Sequence, residues 1–291
     1  VANNLKVSST CHSPFKVVDR EATEKKIAEL IGGQVTVTGQ TELLANPDHR
    51  ITVGETVKGT LLSSHAKSYQ GIKTGDDEST CRQFWELHRI DFGWRPYQGS
   101  VSKDCLNGGM ELLIQWGDDG ENLARRQGVS AWGKHGVLVC QMRSIPVSRY
   151  FGDVFSSSVT PVIPSDSSNL AAIWTFCSST DYRKAIRKID KRVSVTTATL
   201  TKVSFDLDHW QTVAADRYPN GLPMPHSNDP TQWLFSGHPR KAESPLQVAL
   251  SRLIGYSWPR QTGSHFSDCP ALGVDGLEKH ADHDGIVTLS P

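Results

Sequence analysis

The stretch from residue 136 to residue 205 sets most of the limits on the fold. It opens with GVLVCQM (136–142), an apolar run of the length of a buried strand. SSNLAAIWTFCSS (167–179) comes next and reads as a buried helix with Ser or Asn capping its start. TDYRKAIRKIDKRV (180–193) has the spacing of a second helix, apolar on one side and basic on the other. VSVTTATLTKVSF (193–205) is rich in Thr and Val and reads as a strand. Helices mixed with short strands predict an α+β or mixed α/β fold, with small mixed sheets and packed helices.

The flanks supply smaller pieces. Residues 1–20 read as loop, 21–31 as a short amphipathic helix stopped by Gly32-Gly33, and VTVT (35–38) as a strand. A turn is expected at NPDHR (46–50), a helix from about Asp77 to Leu87, a strand at ELLIQW (111–116) and a short helix at GENLARRQ (120–127). Irregular β is expected over 153–163. Beyond Phe205, DLDHWQTVAADRY and PLQVALSRLIGY read as helices on either side of a Pro/Gly/Asn linker (219–230), and the tail from Trp258 is loop-rich. A seam is expected near 206–230.

The 291 residues carry 31 basic and 31 acidic side chains, so any basic surface must come from local clustering. Six widely spaced cysteines predict free thiols in a reducing cytoplasm rather than a disulfide framework. No apolar run has the length of a membrane span, and no signal peptide is visible.

The clearest chemical feature is the basic helix. Arg183, Arg187 and Lys191 form one row at helical spacing, and Lys184, Lys188 and Arg192 form the next, opposite Tyr182, Ala185, Ile186, Ile189 and Val193. A one-sided double row of cations suits a phosphate backbone, and a solvated helix face is the alternative. GVSAWGKH (128–135) has the outline of a P-loop, but His135 stands where Ser or Thr would meet magnesium, and a Gly-rich turn is the simpler reading. His265, Cys269, His280 and His283 could form a zinc set, though at irregular intervals. The DFG at 91–93 has no kinase partners. G-x-S-x-G, G-x-G-x-x-G and H-E-x-x-H are absent.

YQGIKTGDDESTCRQFWEL (69–87) holds two glycines around Ile72-Lys73-Thr74, then Asp76, Asp77 and Glu78. Glycines let backbone amides approach an anion, but acids at a helix start already satisfy its dipole and repel phosphate. The stretch therefore reads as a structural elbow, with Lys73 and Thr74 its only groups suited to a DNA backbone.

The same stretch, QGIKTGDDESTCRQFWEL, resembles the target-recognition region of large bacterial adenine-specific DNA methyltransferases. These are type II, IIG-like restriction-modification enzymes and their relatives in BREX-type and DISARM-type phage defence. The shared elements are Gly71, Ile72, Thr74, Gly75, Asp76 and Asp77, then Phe84-Trp85-Glu86. LLANPDHRI (43–51), WGKHGVLVCQMRSIPVSRYFGDVF (132–155), SNLAAIWTFCSSTDYRKAIRKIDKRVSVTTATLTKVSFDLDHW (168–210) and YPNGLPMPHSNDPTQWLFSGHP (218–239) are similar to consecutive blocks of those enzymes. LQVALSRLIGYSWP and DGLEKHADHDGIV resemble the segments C-terminal to those blocks. Ser79-Thr80-Cys81 departs from the pattern, because related elements carry an aromatic or basic residue there. The Asn/Asp-Pro-Pro-Tyr/Phe loop and the S-adenosylmethionine loop of the catalytic half are also absent.

The resemblance implies a fragment with no cofactor of its own and no catalytic residues. Residues 1–66 would lead in from a methyltransferase core, 67–205 would recognise the DNA target, and 206–291 would form a helical, loop-rich extension. Its partners would be double-stranded DNA, the catalytic domain of the parent chain, which binds S-adenosylmethionine, and other defence subunits. Backbone contacts are expected from Lys73, Thr74, Arg183, Lys184, Arg187, Lys188, Arg192 and Lys202. Base contacts are expected from Gln98, Lys103, Gln141, Arg143 and Arg149, since Arg suits guanine and Gln suits adenine. Two other classes stay open: a metal-dependent nuclease or hydrolase using the 265–283 cluster, and a protein-interaction module of a defence complex.

Overall fold

A computed structural model describes residues 12–15, 31–32, 36–39, 59–87, 90, 93–117, 120–121, 123–225, 227–235, 245–253, 273–274, 276 and 278–281. The chain divides into two contact units, one of residues 1–64 with 202–206, the other of 65–201 with 207–291.

In the first unit, β1 (His12–Phe15) pairs antiparallel with β2 (Thr36–Gly39), His12 opposite Gly39. Residues 12–15 are therefore strand, not loop. A 3₁₀ turn at Leu62–Ser64 is held by Val203, whose carbonyl accepts from the Leu62 amide at 2.9 Å. The predicted helix 21–31, apart from Ile31, and the turn at 46–50 lie outside the described residues.

The second unit is α+β, with two four-stranded sheets. The first has the order β3 (Ala66–Ser68), β10 (Val159–Pro164), β7 (Gly136–Cys140), β8 (Val147–Tyr150), antiparallel throughout. Every residue of β7 is buried, as the unbroken apolar run predicts. Leu138 and Cys140 join Tyr150, Phe155, Val159 and Ile163 in one core cluster. Helix α2 (Leu170–Cys177) packs against β7. Its approach is capped not by Ser or Asn but by Asp166, which accepts from the Ser168 amide at 2.9 Å.

The second sheet has the order β4 (Cys81–Gln83), β6 (Leu112–Gln115), β5 (Trp94–Gln98), β9 (Val154–Phe155), with β9 parallel to β5. Ile114 faces Ile72, Tyr97, Trp116 and Val154, while Leu113 faces Phe84 and Val248. Successive β6 residues thus feed two separate cores, as strand alternation requires. Val248 comes from helix α5 (Pro245–Leu253).

Three expectations fail here. The helix over 77–87 stops after α1 (Asp77–Thr80), because Cys81–Gln83 gains a partner strand in Leu112–Ile114 and Gln83 starts a 3₁₀ turn closed by Glu86. Among the described residues of 120–127 no helix forms; Gly120 takes φ +79° and Arg125 bonds back to Lys73. The strand expected over 193–205 is instead a 3₁₀ turn, Thr197–Thr201. Its threonine hydroxyls bond locally, Thr196 with Thr199 at 2.8 Å, and such bonds compete with a ladder. Leu200 is buried between buried Thr199 and Thr201, so the alternation a strand needs is missing.

Helix α3 (Thr180–Ile189) follows α2 after a two-residue break. Ser179 caps it, accepting from the Tyr182 amide at 3.1 Å. Helix α4 (Leu207–Arg217) packs on α2 through Phe176 and Trp210, 5.1 Å between ring centres.

Candidate nucleic-acid interface

Helix α3 presents its two basic rows differently. Tyr182 and Ile186 are fully buried, and the Tyr182 hydroxyl donates to the Leu200 carbonyl at 2.9 Å. That anchoring leaves Asp181, Lys184 and Lys188 exposed, followed by exposed Lys191 and Arg192. The arginine row turns toward the protein. Arg183 forms an ion pair with Asp104 and also donates to the Ser178 carbonyl. Arg187 donates to the carbonyls of Arg143 and Arg192. Arg192 grips Asp190 with two nitrogens, at 2.9 and 2.6 Å. That grip, foremost its side-chain hydrogen bonds, holds the Asp190 carboxyl at about 2. The outward surface is therefore Lys184 and Lys188 on α3, with Lys191 and Arg192 exposed beyond the helix end, where the expected rows are cut short; Arg183 and Arg187 build the frame beneath it.

The β7–β8 turn abuts this surface. Arg143 and Ser144 are exposed there, and the Arg143 carbonyl is the one that Arg187 reaches. The β8 strand is bordered by the segment around Lys103. The Cys105 amide donates to Val147 at 3.0 Å, and the Arg149 amide donates to Leu106 at 3.3 Å. Lys103 itself is exposed.

The other three base-contact candidates are enclosed. Gln98 is fully buried, and its amide donates to the carbonyls of Gly108 and Arg149 at 3.0 and 2.7 Å, joining the two sheets. Gln141 is buried and donates to the Thr160 and Thr197 hydroxyls at 2.8 and 3.1 Å. Thr197 donates in turn to Gln70 at 2.6 Å. Arg149 is 3% exposed; its guanidinium donates to the Pro223 carbonyl at 2.6 Å and lies over Phe151. Burial lowers its pKa from the ordinary guanidinium value. As placed, these three side chains are buried and spend their donors on internal hydrogen bonds.

The stretch around Gly71 is an elbow. The Ile72 amide donates to Phe155 at 2.9 Å, and Lys73 exchanges backbone bonds with Arg125 at 3.1 and 3.0 Å. Asp76 caps α1, accepting from the Ser79 amide at 3.2 Å. The Thr74 hydroxyl donates to Asp77, so this side chain is enlisted locally, while Lys73 is exposed. Lys202 is half-buried and belongs to the first unit.

GVSAWGKH is a turn. Val129–Ala131 forms a 3₁₀ element, and the Gly133 amide donates to Gly152 at 2.9 Å. Of the proposed zinc set, His265, Cys269 and His283 lie outside the described residues, and His280 is exposed in a short 3₁₀ turn. Among the described residues no group of three or more His, Cys, Asp or Glu could hold a metal ion. None of the described helices is long and apolar enough to cross a membrane.

Two solved structures are similar to this chain. The HsdS subunit from Thermoanaerobacter tengcongensis matches 82% of this chain and 48% of its own, at 12% identity and a TM-score of 0.37. MmeI, described as a type IIL restriction-modification enzyme in complex with DNA, matches 77% of this chain and 36% of its own, at 14% identity and a TM-score of 0.40. The chain thus spans about half the length of the first and about a third of the second. No protein-family profile and no curated protein matches it.

A second cationic cluster was not legible in the sequence. Arg95 and Arg126 lie over the buried Trp116 ring at 4.5 and 5.7 Å, and Arg126 also lies 5.5 Å from Trp132. Only the adjacent Arg125-Arg126 pair hinted at it, because Arg95 arrives from another strand. The internal partners of the arginines were partly visible, since Asp190 stands two residues before Arg192. Asp104 was not, being 79 residues from Arg183.

Proposed function

We propose that this chain recognises a short double-stranded DNA sequence for an adenine-specific, S-adenosylmethionine-dependent methyltransferase domain of the same parent protein. The setting would be cytoplasmic restriction-modification or phage defence. Residues 67–205 would carry the recognition, 1–66 the lead-in and 206–291 an extension. The observation that carries this reading is the outward pair Lys184 and Lys188 on α3, with Lys191 exposed just beyond its end, beside Arg143 and over the internally bonded Arg183 and Arg187. Cations held on one rigid face meet phosphates without first ordering a loop, and each phosphate so neutralised releases counterions. The ordered sequence blocks shared with adenine-specific methyltransferases support the same reading.

The test is duplex binding across a salt series. In the chain carrying both Lys184→Ala and Lys188→Ala, the slope of log K against log salt should flatten by about 2, near 0.9 for each phosphate left unneutralised. Affinity should fall to a similar degree for all sequences. A slope equal to that of the unaltered chain would remove α3 from the interface. Methyl transfer from S-adenosylmethionine by this chain alone would overturn its assignment as the recognition part.

A further inference from the structure

The turn between β7 and β8 is built from residues that resist its shape. Arg143 and Ile145 both take φ +56°. Left-handed backbone is uncommon for any residue but glycine, and for a β-branched one it is an outlier. Such conformations persist where the surroundings over-determine them, and they collect at binding sites. Here the surroundings can be named. Ile145 is fully buried, and its amide donates to the Met142 carbonyl at 3.1 Å. Met142 bridges to Ser194, and the Val195 amide donates to Gln141 at 2.8 Å. Arg187 spans from α3 to the carbonyl of Arg143 itself, while also donating to Arg192.

The consequence is an exposed tip with a fixed base. Arg143 and Ser144 project at the turn that joins β7 to β8 at one end of the four-stranded sheet, and Met142 beside them is 47% exposed. The tip is tied by Arg187 to the same helix that carries the outward lysines. The planar fork of an exposed arginine matches the O6 and N7 acceptors that guanine shows in the major groove.

We propose that Met142–Ile145 is a base-reading finger, in which Arg143 donates to a guanine edge in the major groove and Arg187 is the positioning residue that sets the finger against α3. This rests on the duplex-binding function proposed for the chain. It also gives Arg187 a task other than phosphate contact.

The experiment is selection of bound duplexes from a pool with a randomised core, using the whole chain, with the retained sequences counted. The unaltered chain should enrich a motif containing a fixed guanine. Arg143→Ala should lower the preference at that one position by about tenfold or more. Arg187→Lys keeps the charge but not the planar fork, and should blur the same position with its thermal unfolding unmoved. The Lys184→Ala, Lys188→Ala chain should weaken retention across the pool while enriching the original motif. An unchanged motif with Arg143→Ala, or retention with no base preference in the unaltered chain, would overturn the finger. Retention of no duplex by the unaltered chain would instead bring down the DNA-binding reading, and the finger with it.

Discussion

At the scale of single residues, glycine does its work at points of close approach rather than in loops as such. A Cβ on Gly71 would stand 2.1 Å from the Ser156 carbonyl oxygen, far inside van der Waals contact, because the Ile72 amide is bonded to the neighbouring Phe155 carbonyl at 2.9 Å. Gly71→Ala should therefore destabilise the chain by about 1–3 kcal/mol, the usual cost of forcing extra volume into packed structure. Urea unfolding followed by tryptophan fluorescence would measure it, and an unchanged midpoint would show that the strand yields freely. The sequence displayed Gly71 plainly, as part of a glycine-flanked motif. What it could not display was the partner, which arrives from 85 positions further along the chain. Gln98 and Gln141 teach the same thing from the other side. As residue types they suit adenine, but burial turns each amide into an internal brace. Nothing local to either residue announces burial: Gln98 ends β5, which also carries Arg95, and Gln141 follows β7.

At the scale of elements, the stretches that were read correctly are those whose pattern outlasts any single contact. The apolar run of β7, the buried helix α2 and the helices α4 and α5 stand where periodicity placed them, and the amphipathic α3 starts where expected but ends at Ile189, short of the expected 193. The misread elements are short ones whose fate was decided by a distant partner or by hydroxyls bonding close at hand. The 193–205 stretch is the clearest instance. Its threonines carry strand propensity, yet Thr197 completes a polar network with Gln70, Gln141 and Thr160, whose hydroxyl lies 3.2 Å from that of Thr197. Thr197→Val keeps the shape and strips the hydroxyl from between three polar partners. It should cost about 1–3 kcal/mol, the range for leaving buried polar groups unpaired. A loss much below that, read by the same unfolding assay, would mean that water replaces the hydroxyl.

At the scale of the whole molecule, two carboxylates set opposite limits on stability against pH. Burial raises Asp153 to about 6, so its folded form holds a proton that the unfolded chain has already released. Stability from this group falls as pH rises from about 4 to about 6, by about 2–3 kcal/mol in all. Asp190, held at about 2 chiefly by its hydrogen bonds from Arg192, behaves in reverse. Its contribution is full above about pH 4 and is lost as pH falls toward 2. Unfolding midpoints measured from pH 3 to 8 should therefore rise and then decline. In Asp153→Asn the decline above pH 4 should flatten; a profile identical to the parent's would assign it to other groups. The border of β8 carries a separate consequence for the molecule in company. Asp104 to Leu106 supply the outer partners of that strand, through the Val147 amide to Asp104 at 3.0 Å and the bonds of Cys105 and Leu106. A strand end left bare is a template on which a neighbouring chain can add its own. Here the template is already occupied, so the face that offers Arg143 outward does so without inviting another copy to zip onto the sheet beneath it.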